Sequence, residues 1–396
     1  MKNITRSICC LLFVGMILFI SSVQALEEEK IVFLQSVKTS QEISLTQMGK
    51  DQIEYDVLEE MPLDHEQVLK MRQWLLLPHV QSSLGLGKLA KKVLNNQEPL
   101  YLHLQPGGNY ARKGFFLKSG SQFVDHRQTI YMVIASHERA ATLTLAHENG
   151  HVMMFHLIDR VSKDISSPET LFPHTITTET SFLTAFSEGF GIHFETLIAM
   201  NASHIPLIAQ TFHHQLFYEL NSTKSDYYAE VGDFFNYAQT FKRYQYTRDN
   251  RFIYRKPSAN LPWPVETGSN SQLLLYQWMD PNIALDSLKS AQEMMASEGV
   301  CATLFYRLVT DPILGLKPLT VEDLIKWNLE KESLSSQQKI YLKIFKTMAA
   351  LNQEDFKSTP TMIRFIQRWA ELYPEDKERL FFIFLETTKY VTLALE

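Results

Sequence analysis

The chain has 396 residues, of which 45% are hydrophobic and 21% are charged, a composition typical of a globular protein rather than a disordered or fibrous one. Its formal net charge of −6 argues against nucleic acid or an anionic membrane as a partner. The length is ample for one large domain or two ordinary domains with hydrophobic cores.

The first 25 residues have the features of a secretory signal peptide. Lys2 and Arg6 precede an apolar run over residues 8–20, and the segment ends at Ala25. The run is shorter than the ~20 residues that a membrane-spanning helix needs. We expect cleavage after Ala25, a secreted or periplasmic location, and no stable membrane insertion after removal of the signal. Cys301 is then the only cysteine of the mature chain, which excludes an intramolecular disulfide.

The segment between the signal and the centre of the chain is predicted to contain a small antiparallel sheet. Residues 31–34 read as a short strand, and helix is expected between residues 64 and 94. Three further strand candidates, separated by turn-forming residues, cover residues 100–105, 114–118 and 129–135.

The string His-Glu-Asn-Gly-His at positions 147–151 lies in an apolar context that predicts a buried helix. Residues four apart share one helix face, so His147 and His151 can present two imidazole nitrogens to one ion. Zn²⁺ accepts such ligands, and a catalytic site needs one more protein ligand and a position for water. Glu148 is placed to act on that water as general base. The alternative is an ordinary core helix with two hydrogen-bonded histidines.

A second apolar run, residues 182–200, carries Glu188 in the string Ser-Glu-Gly-Phe. A buried carboxylate is costly without a partner, and metal ligation is one way to satisfy it. Glu188 is therefore the predicted third ligand. Gly189 and Gly191 each weaken a helix by about 1 kcal/mol relative to Ala, so we expect a neighbouring helix, backbone or ligand to come close there.

Together these two segments resemble the gluzincin metallopeptidases, in particular the zinc aminopeptidases, whose third-ligand helix has a Glu-Gly-Phe segment and a second Glu seven residues on, as Glu195 follows Glu188. The resemblance covers roughly residues 138–200. It implies a Zn²⁺ cofactor held by His147, His151 and Glu188, and hydrolysis of peptide bonds by a zinc-activated water. The separation between His151 and Glu188 is longer than in those aminopeptidases, and their substrate-amine motif is absent upstream. The likeness therefore implies a zinc hydrolase without implying an aminopeptidase.

The resemblance also implies further parts of a substrate site. An extended substrate would pair with the strand before the motif helix, residues 131–136, for which a plain core strand is the alternative. An oxyanion donor is expected downstream of the third ligand, with Tyr244, Tyr246 and Tyr254 as candidates. Arg243 and its neighbouring arginines could hold a substrate carboxylate or lie on a solvated face.

Beyond residue 261 the hydrophobic period is helical, and prolines separate the predicted helices. These helices cover residues 271–278, 284–309, 321–330, 336–351, 361–372 and 377–394. Within them the string Ser-Glu-Gly at positions 297–299 repeats the string at positions 187–189. Glu298 is therefore the rival third ligand. Glu188 is preferred because gluzincins place the ligand helix soon after the motif helix.

The sequence thus predicts an α+β, mostly helical fold with a gluzincin-like core: a small antiparallel sheet, the motif helix and the Glu-ligand helix. The predicted division is a signal peptide over residues 1–25, a zincin-like catalytic domain over 26–260 and a helical C-terminal subdomain over 261–396. The predicted function is that of a secreted zinc metallopeptidase acting on a peptide or protein substrate, with Glu148 as general base. Three alternatives stay open: a catalytically inactive zinc-binding pseudoenzyme, an amide or ester hydrolase that is not a peptidase, and an exported helical interaction protein.

Overall fold

The computed structural model of the chain describes residues 30–37, 55–106, 108–135, 141–158, 176, 179–200, 243–255, 287–329, 334–356 and 359–391. The predicted signal peptide and the predicted helix over residues 271–278 lie outside these ranges. No helix in the described part of the chain is both long enough and apolar enough to cross a membrane.

Seven strands in the described N-terminal part of the chain form one mixed sheet. They are β1 (Ile31–Ser36), β2 (Asp56–Glu60), β3 (Leu100–Gln105), β4 (Tyr110–Lys113), β5 (Phe115–Ser119), β6 (Gln122–Asp125) and β7 (Ile130–Ala135). Their order across the sheet is β4-β7-β3-β1-β2-β5-β6. The pairs β7–β3, β3–β1 and β2–β5 are parallel, whereas β4–β7, β1–β2 and β5–β6 are antiparallel.

The prediction of a small antiparallel sheet is wrong in both size and strand direction. All the predicted strands are present, as β1, β3, β5 and β7, but β3 has parallel neighbours on both sides. Every residue of β7 is buried, and β3 is buried up to Leu104. A strand covered on both faces reads as a continuous apolar run, and such a run does not reveal the direction of its neighbours. The α+β class and the predominance of helix are confirmed.

Eleven labelled helices account for most of the remaining described residues. They are α1 (Glu66–Leu75), α2 (Pro78–Leu94), α3 (Ala141–Ile158), α4 (Phe182–Met200), α5 (Ala291–Met295), α6 (Glu298–Thr310), α7 (Pro312–Leu316), α8 (Val321–Lys326), α9 (Ser336–Ala349), α10 (Thr361–Leu372) and α11 (Lys377–Thr387). Residues 243–248 are also helical.

The helix starts in the C-terminal part are encoded locally. Ser290 and Ser335 each form a capping box with the residue three positions later, which satisfies free backbone N–H groups at the start of α5 and α9. The predicted helix over residues 284–309 is split between α5 and α6. The reason is Ser297, which adopts an extended conformation and forms a β-bridge with Glu179.

The helices α3 and α4 pack against each other within the largest apolar cluster. That cluster also includes residues of α6, α9, α10 and α11, so helices from both sides of residue 261 share one core. Phe186 and Phe190 of α4 make edge-on contacts with Phe305 of α6, with ring centroids 5.3 and 5.1 Å apart. Each buried Phe stabilises the fold by roughly 1.5–3 kcal/mol, so α4 is firmly held. The division of the chain at residue 261 stays a prediction.

Both β7 and β4 contact the motif helix α3, but only β4 lies at the edge of the sheet. β7 lies between β3 and β4, so residues 131–135 form a core strand, and the substrate-pairing role predicted for this segment is wrong. β4 forms the edge of the sheet and contacts α3. Among the described residues, no further strand pairs with the outer side of β4, and this sheet edge lies next to the candidate ligands.

Candidate metal centre

The three predicted ligands lie together where α3 meets α4. His147 and His151 are one helical turn apart on α3, and their Nε2 atoms are 3.0 Å apart. Glu188 of α4 places its Oε2 atom 3.4 Å from each of these nitrogens. In the described ranges this is the one group of at least three histidine, cysteine or acidic side chains arranged to hold a metal ion.

The separations between the three atoms fit a zinc site. Two ligands that each lie about 2.05 Å from a tetrahedral Zn²⁺ are about 3.3 Å apart. The observed triangle has sides of 3.0, 3.4 and 3.4 Å, and a point about 0.8 Å from its plane lies about 2.05 Å from all three atoms. The side chains as they stand therefore suit three corners of a zinc tetrahedron.

Glycines allow the helices to come this close. A Cβ atom at Gly150 of α3 would lie 3.2 Å from the Cα atom of Gly191, and one at Gly191 would lie 3.0–3.2 Å from the His147 ring. Gly189 faces α6 instead, where an added Cβ atom would lie only 2.5 Å from that of Cys301. The close approaches predicted at Gly189 and Gly191 are confirmed.

Each histidine has a second contact through its Nδ1 atom. His147 Nδ1 lies 3.3 Å from Glu195 Oε2, and the same oxygen accepts a 2.7 Å hydrogen bond from Arg243 Nη1. His151 Nδ1 lies 3.3 Å from the hydroxyl oxygen of Ser187. Partners of this kind fix the orientation of a ligating imidazole and direct its other nitrogen toward the metal.

These second contacts are additions to the predicted site. Glu195 lies two helical turns beyond Glu188, so a carboxylate on the same helix face was the sequence signal for it. Ser187 precedes Glu188 directly and carries no comparable signal. Arg243 lies 48 residues after Glu195 and reaches it only through the fold.

The electrostatics of the site favour a cation. Burial lowers the pKa of His147, but hydrogen bonds to Glu188 and Glu195 outweigh that effect and raise this pKa to about 10. Burial raises the pKa of Glu188, but the charge of His151 and hydrogen bonds from both histidines hold it well below its usual range. The ionised Glu188 carboxylate therefore faces both imidazoles, and a metal cation can replace the proton held between these groups.

Glu148 lies beside the ligand group and is only 6% exposed. Burial raises the pKa of its carboxyl group, although the charges of His147 and His151 oppose this effect. The carboxylate also accepts a hydrogen bond from the backbone amide of Ala111, on the edge strand β4. A raised pKa suits a general base, because proton transfer is most efficient when the pKa of the base lies near the working pH.

Glu298, the rival third ligand, is not part of the ligand group. It begins α6 and is buried. Its charge acts on Lys289, whose Nζ donates a 2.8 Å hydrogen bond to Ser297 Oγ. Burial lowers the pKa of Lys289 to about 8. Glu298 thus belongs to a buried polar cluster at the start of α6.

The candidate tyrosines lie in the segment that follows Arg243. They contact that segment itself and the residues beyond 287, in the pairs Tyr244–Tyr306, Tyr246–Phe252 and Tyr254–Leu288. The oxyanion donor stays a prediction. Arg243, a candidate for binding a substrate carboxylate, contacts Glu195.

Comparison of the chain with protein-family profiles, with curated proteins and with solved structures finds no match. The geometry of the site is therefore the basis for assigning a function to the chain.

Proposed function

We propose that the chain is a zinc-dependent hydrolase that cleaves peptide bonds with a gluzincin-type site. One observation carries the proposal: His147, His151 and Glu188 place three ligand atoms at the separations of a zinc tetrahedron, with Glu148 beside them. The signal-like segment over residues 1–25 supports the proposal that this enzyme is exported.

Zinc, when bound, supplies Lewis acidity that makes water a better nucleophile and polarises a carbonyl group. The protein residues then have separate tasks. His147, His151 and Glu188 hold the ion, and Glu195 and Ser187 orient the two imidazoles. Glu148 accepts a proton from the attacking water and delivers it to the departing amine, a task suited to its raised pKa.

The edge strand β4 is suited to hold an extended substrate. In an antiparallel pair, the N–H and C=O groups of one residue point to the same side. Because the Ala111 amide points to Glu148, its carbonyl group also points away from β7. A peptide that pairs with this edge would therefore pass beside Glu148, and such main-chain pairing recognises extended peptides with little dependence on sequence.

Metal analysis and digestion of a mixed peptide library test the proposal. The wild-type chain should bind about one zinc per molecule, and His147→Ala should lose it, because two ligands rarely suffice. Glu148→Gln keeps the shape of the side chain but cannot accept the proton. It should retain zinc while turnover falls at least ~10²-fold.

Glu378→Gln is the matched control, because Glu378 is an exposed residue of α11 and the change should leave both zinc binding and turnover unaltered. A wild-type chain that stays metal-free in zinc-replete buffer would refute the proposed site. Stoichiometric zinc with no cleavage of any library peptide would instead favour the pseudoenzyme.

A further inference from the structure

The contact between Arg243 and Glu195 links the candidate ligand His147 to a distant part of the chain. Glu195 Oε2 lies 3.3 Å from His147 Nδ1 and 2.7 Å from Arg243 Nη1. We propose that Arg243 is a positioning residue that sets the zinc affinity of His147 by fixing the Glu195 carboxylate, an inference that rests on the proposed zinc site.

The Glu195 carboxylate needs such a partner because it is buried. Only 5% of its residue surface is exposed, so water does little to solvate its charge. An imidazole is well oriented only if the carboxylate behind it is itself held in place. Arg243 supplies a charge-assisted hydrogen bond to the same oxygen that faces His147, and such bonds are short and directional.

Arg243 is held in turn by elements outside the two metal helices. The ring of Tyr244, the next residue, packs edge-on against Tyr306 of α6 with centroids 6.1 Å apart. Asn250 donates a 2.8 Å hydrogen bond to the carbonyl oxygen of Thr387 at the end of α11. The segment that carries Arg243 is therefore held against the C-terminal helices, and Arg243 links this segment to Glu195 beside the candidate ligands.

Charge and positioning predict opposite results when Arg243 is replaced. Removing a positive charge near a dication site strengthens the attraction for the dication, so a purely electrostatic effect would tighten zinc binding. Loss of the hydrogen bond from Arg243 lets the Glu195 carboxylate and the His147 ring reorient, which weakens zinc binding. Changes to such supporting residues typically cost about 10–100-fold in metal affinity. The sign of the change therefore separates the two roles.

The experiment is a zinc competition titration of the full-length chain against a chromophoric chelator. Arg243→Gln should weaken zinc binding about 10–100-fold, and Glu195→Gln should weaken it to a similar degree. The double variant with both Gln substitutions should bind zinc no more weakly than Glu195→Gln alone, because Arg243 acts through that carboxylate. The absorption spectrum of bound Co²⁺ should change in both single variants, which a general loss of stability would not produce.

Arg127→Gln is the matched control. Arg127 follows β6, at the opposite edge of the sheet from β4, and pairs with Asp125 at the surface, so its loss removes the same charge and should leave zinc affinity unchanged. Arg243→Lys retains the charge but not the geometry of the guanidinium group. Its zinc affinity should lie between those of the wild type and Glu195→Gln, a comparison that does not require Arg243→Gln to fold. Tighter or unchanged zinc binding in Arg243→Gln would overturn the inference. If Arg243→Gln does not fold, the same result in Arg243→Lys would overturn it. Full additivity of the two single changes in the double variant would also overturn it. Absence of zinc from the wild type would instead refute the proposed site.

Discussion

Two glycines on one helix should respond differently to the same added methyl group. Gly189 and Gly191 both lie on α4, so Ala at either position gains about 1 kcal/mol of helix propensity. The neighbours of the two glycines differ. At Gly189 the new Cβ atom would lie 2.5 Å from the Cβ atom of Cys301 and 2.9 Å from backbone atoms of α6. Backbone atoms cannot rotate away, so α4 and α6 must separate.

At Gly191 the nearest atoms belong to the His147 ring, 3.0–3.2 Å from the added Cβ atom. A shift of a few tenths of an ångström relieves this contact at little cost to the fold. The same shift matters to a zinc bond, whose length is held near roughly 2.0–2.1 Å. We therefore expect Gly191→Ala to leave the metal-free stability within about 1 kcal/mol of the wild type and to weaken zinc binding at least about tenfold.

For Gly189→Ala we expect the opposite pattern. Overpacking costs about 1–3 kcal/mol, and at the upper end, after the propensity gain, the free energy of unfolding falls by about 2 kcal/mol. Urea unfolding in the presence of a chelator measures the stability, and zinc competition on folded protein measures the affinity. Wild-type zinc affinity in Gly191→Ala, or a zinc defect in Gly189→Ala without loss of stability, would refute the reasoning.

Three further predictions concern the ligand choice, a buried ion pair and acid stability. Glu188→Ala should lose stoichiometric zinc while Glu298→Ala retains it, as measured by equilibrium dialysis; the reverse result would make Glu298 the ligand. Asp376→Ala should lower the urea midpoint, with a loss of about 3–5 kcal/mol, because it removes the partner 2.9 Å from the buried Lys343 ammonium group. Burial lowers the pKa of His193 from 6.5 to about 3, so the unfolded chain binds an extra proton in that window and stability should fall as the pH drops through it. His193→Phe should flatten the stability curve between these pH values, and an unchanged slope would contradict the assignment.

The local parts of the site could be predicted from the sequence. The four-residue spacing of His147 and His151 places both on one helix face whatever surrounds the helix, because the helical period depends on the backbone alone. The same argument brings Glu195 onto the face of Glu188. The close neighbours of Gly189 and Gly191 were also predicted correctly. Glycine weakens a helix, so its presence inside one indicates that a larger side chain would not fit.

The directions of the strands, and which strand forms the sheet edge near the candidate ligands, could be seen only in the tertiary structure. An apolar run such as residues 130–135 predicts a buried strand but not its neighbours, because both faces are covered in either orientation. The short strand β4, with its mixed residues, has little hydrophobic signal, yet its position at the sheet edge brings Ala111 to Glu148. Pairing between strands is a property of the whole sheet, so no local pattern contains it.

The choice between Glu188 and Glu298 shows the same limit. Both residues lie in Ser-Glu-Gly strings, one inside α4 and the other at the start of α6, and only the packing of α4 on α3 brings Glu188 to the histidines. Arg243 had no sequence signal that tied it to Glu195. The sequence by itself determined which residues share a helix face, because those relations repeat every 3.6 residues. The tertiary structure decided which faces meet, because that depends on how the entire apolar core is filled.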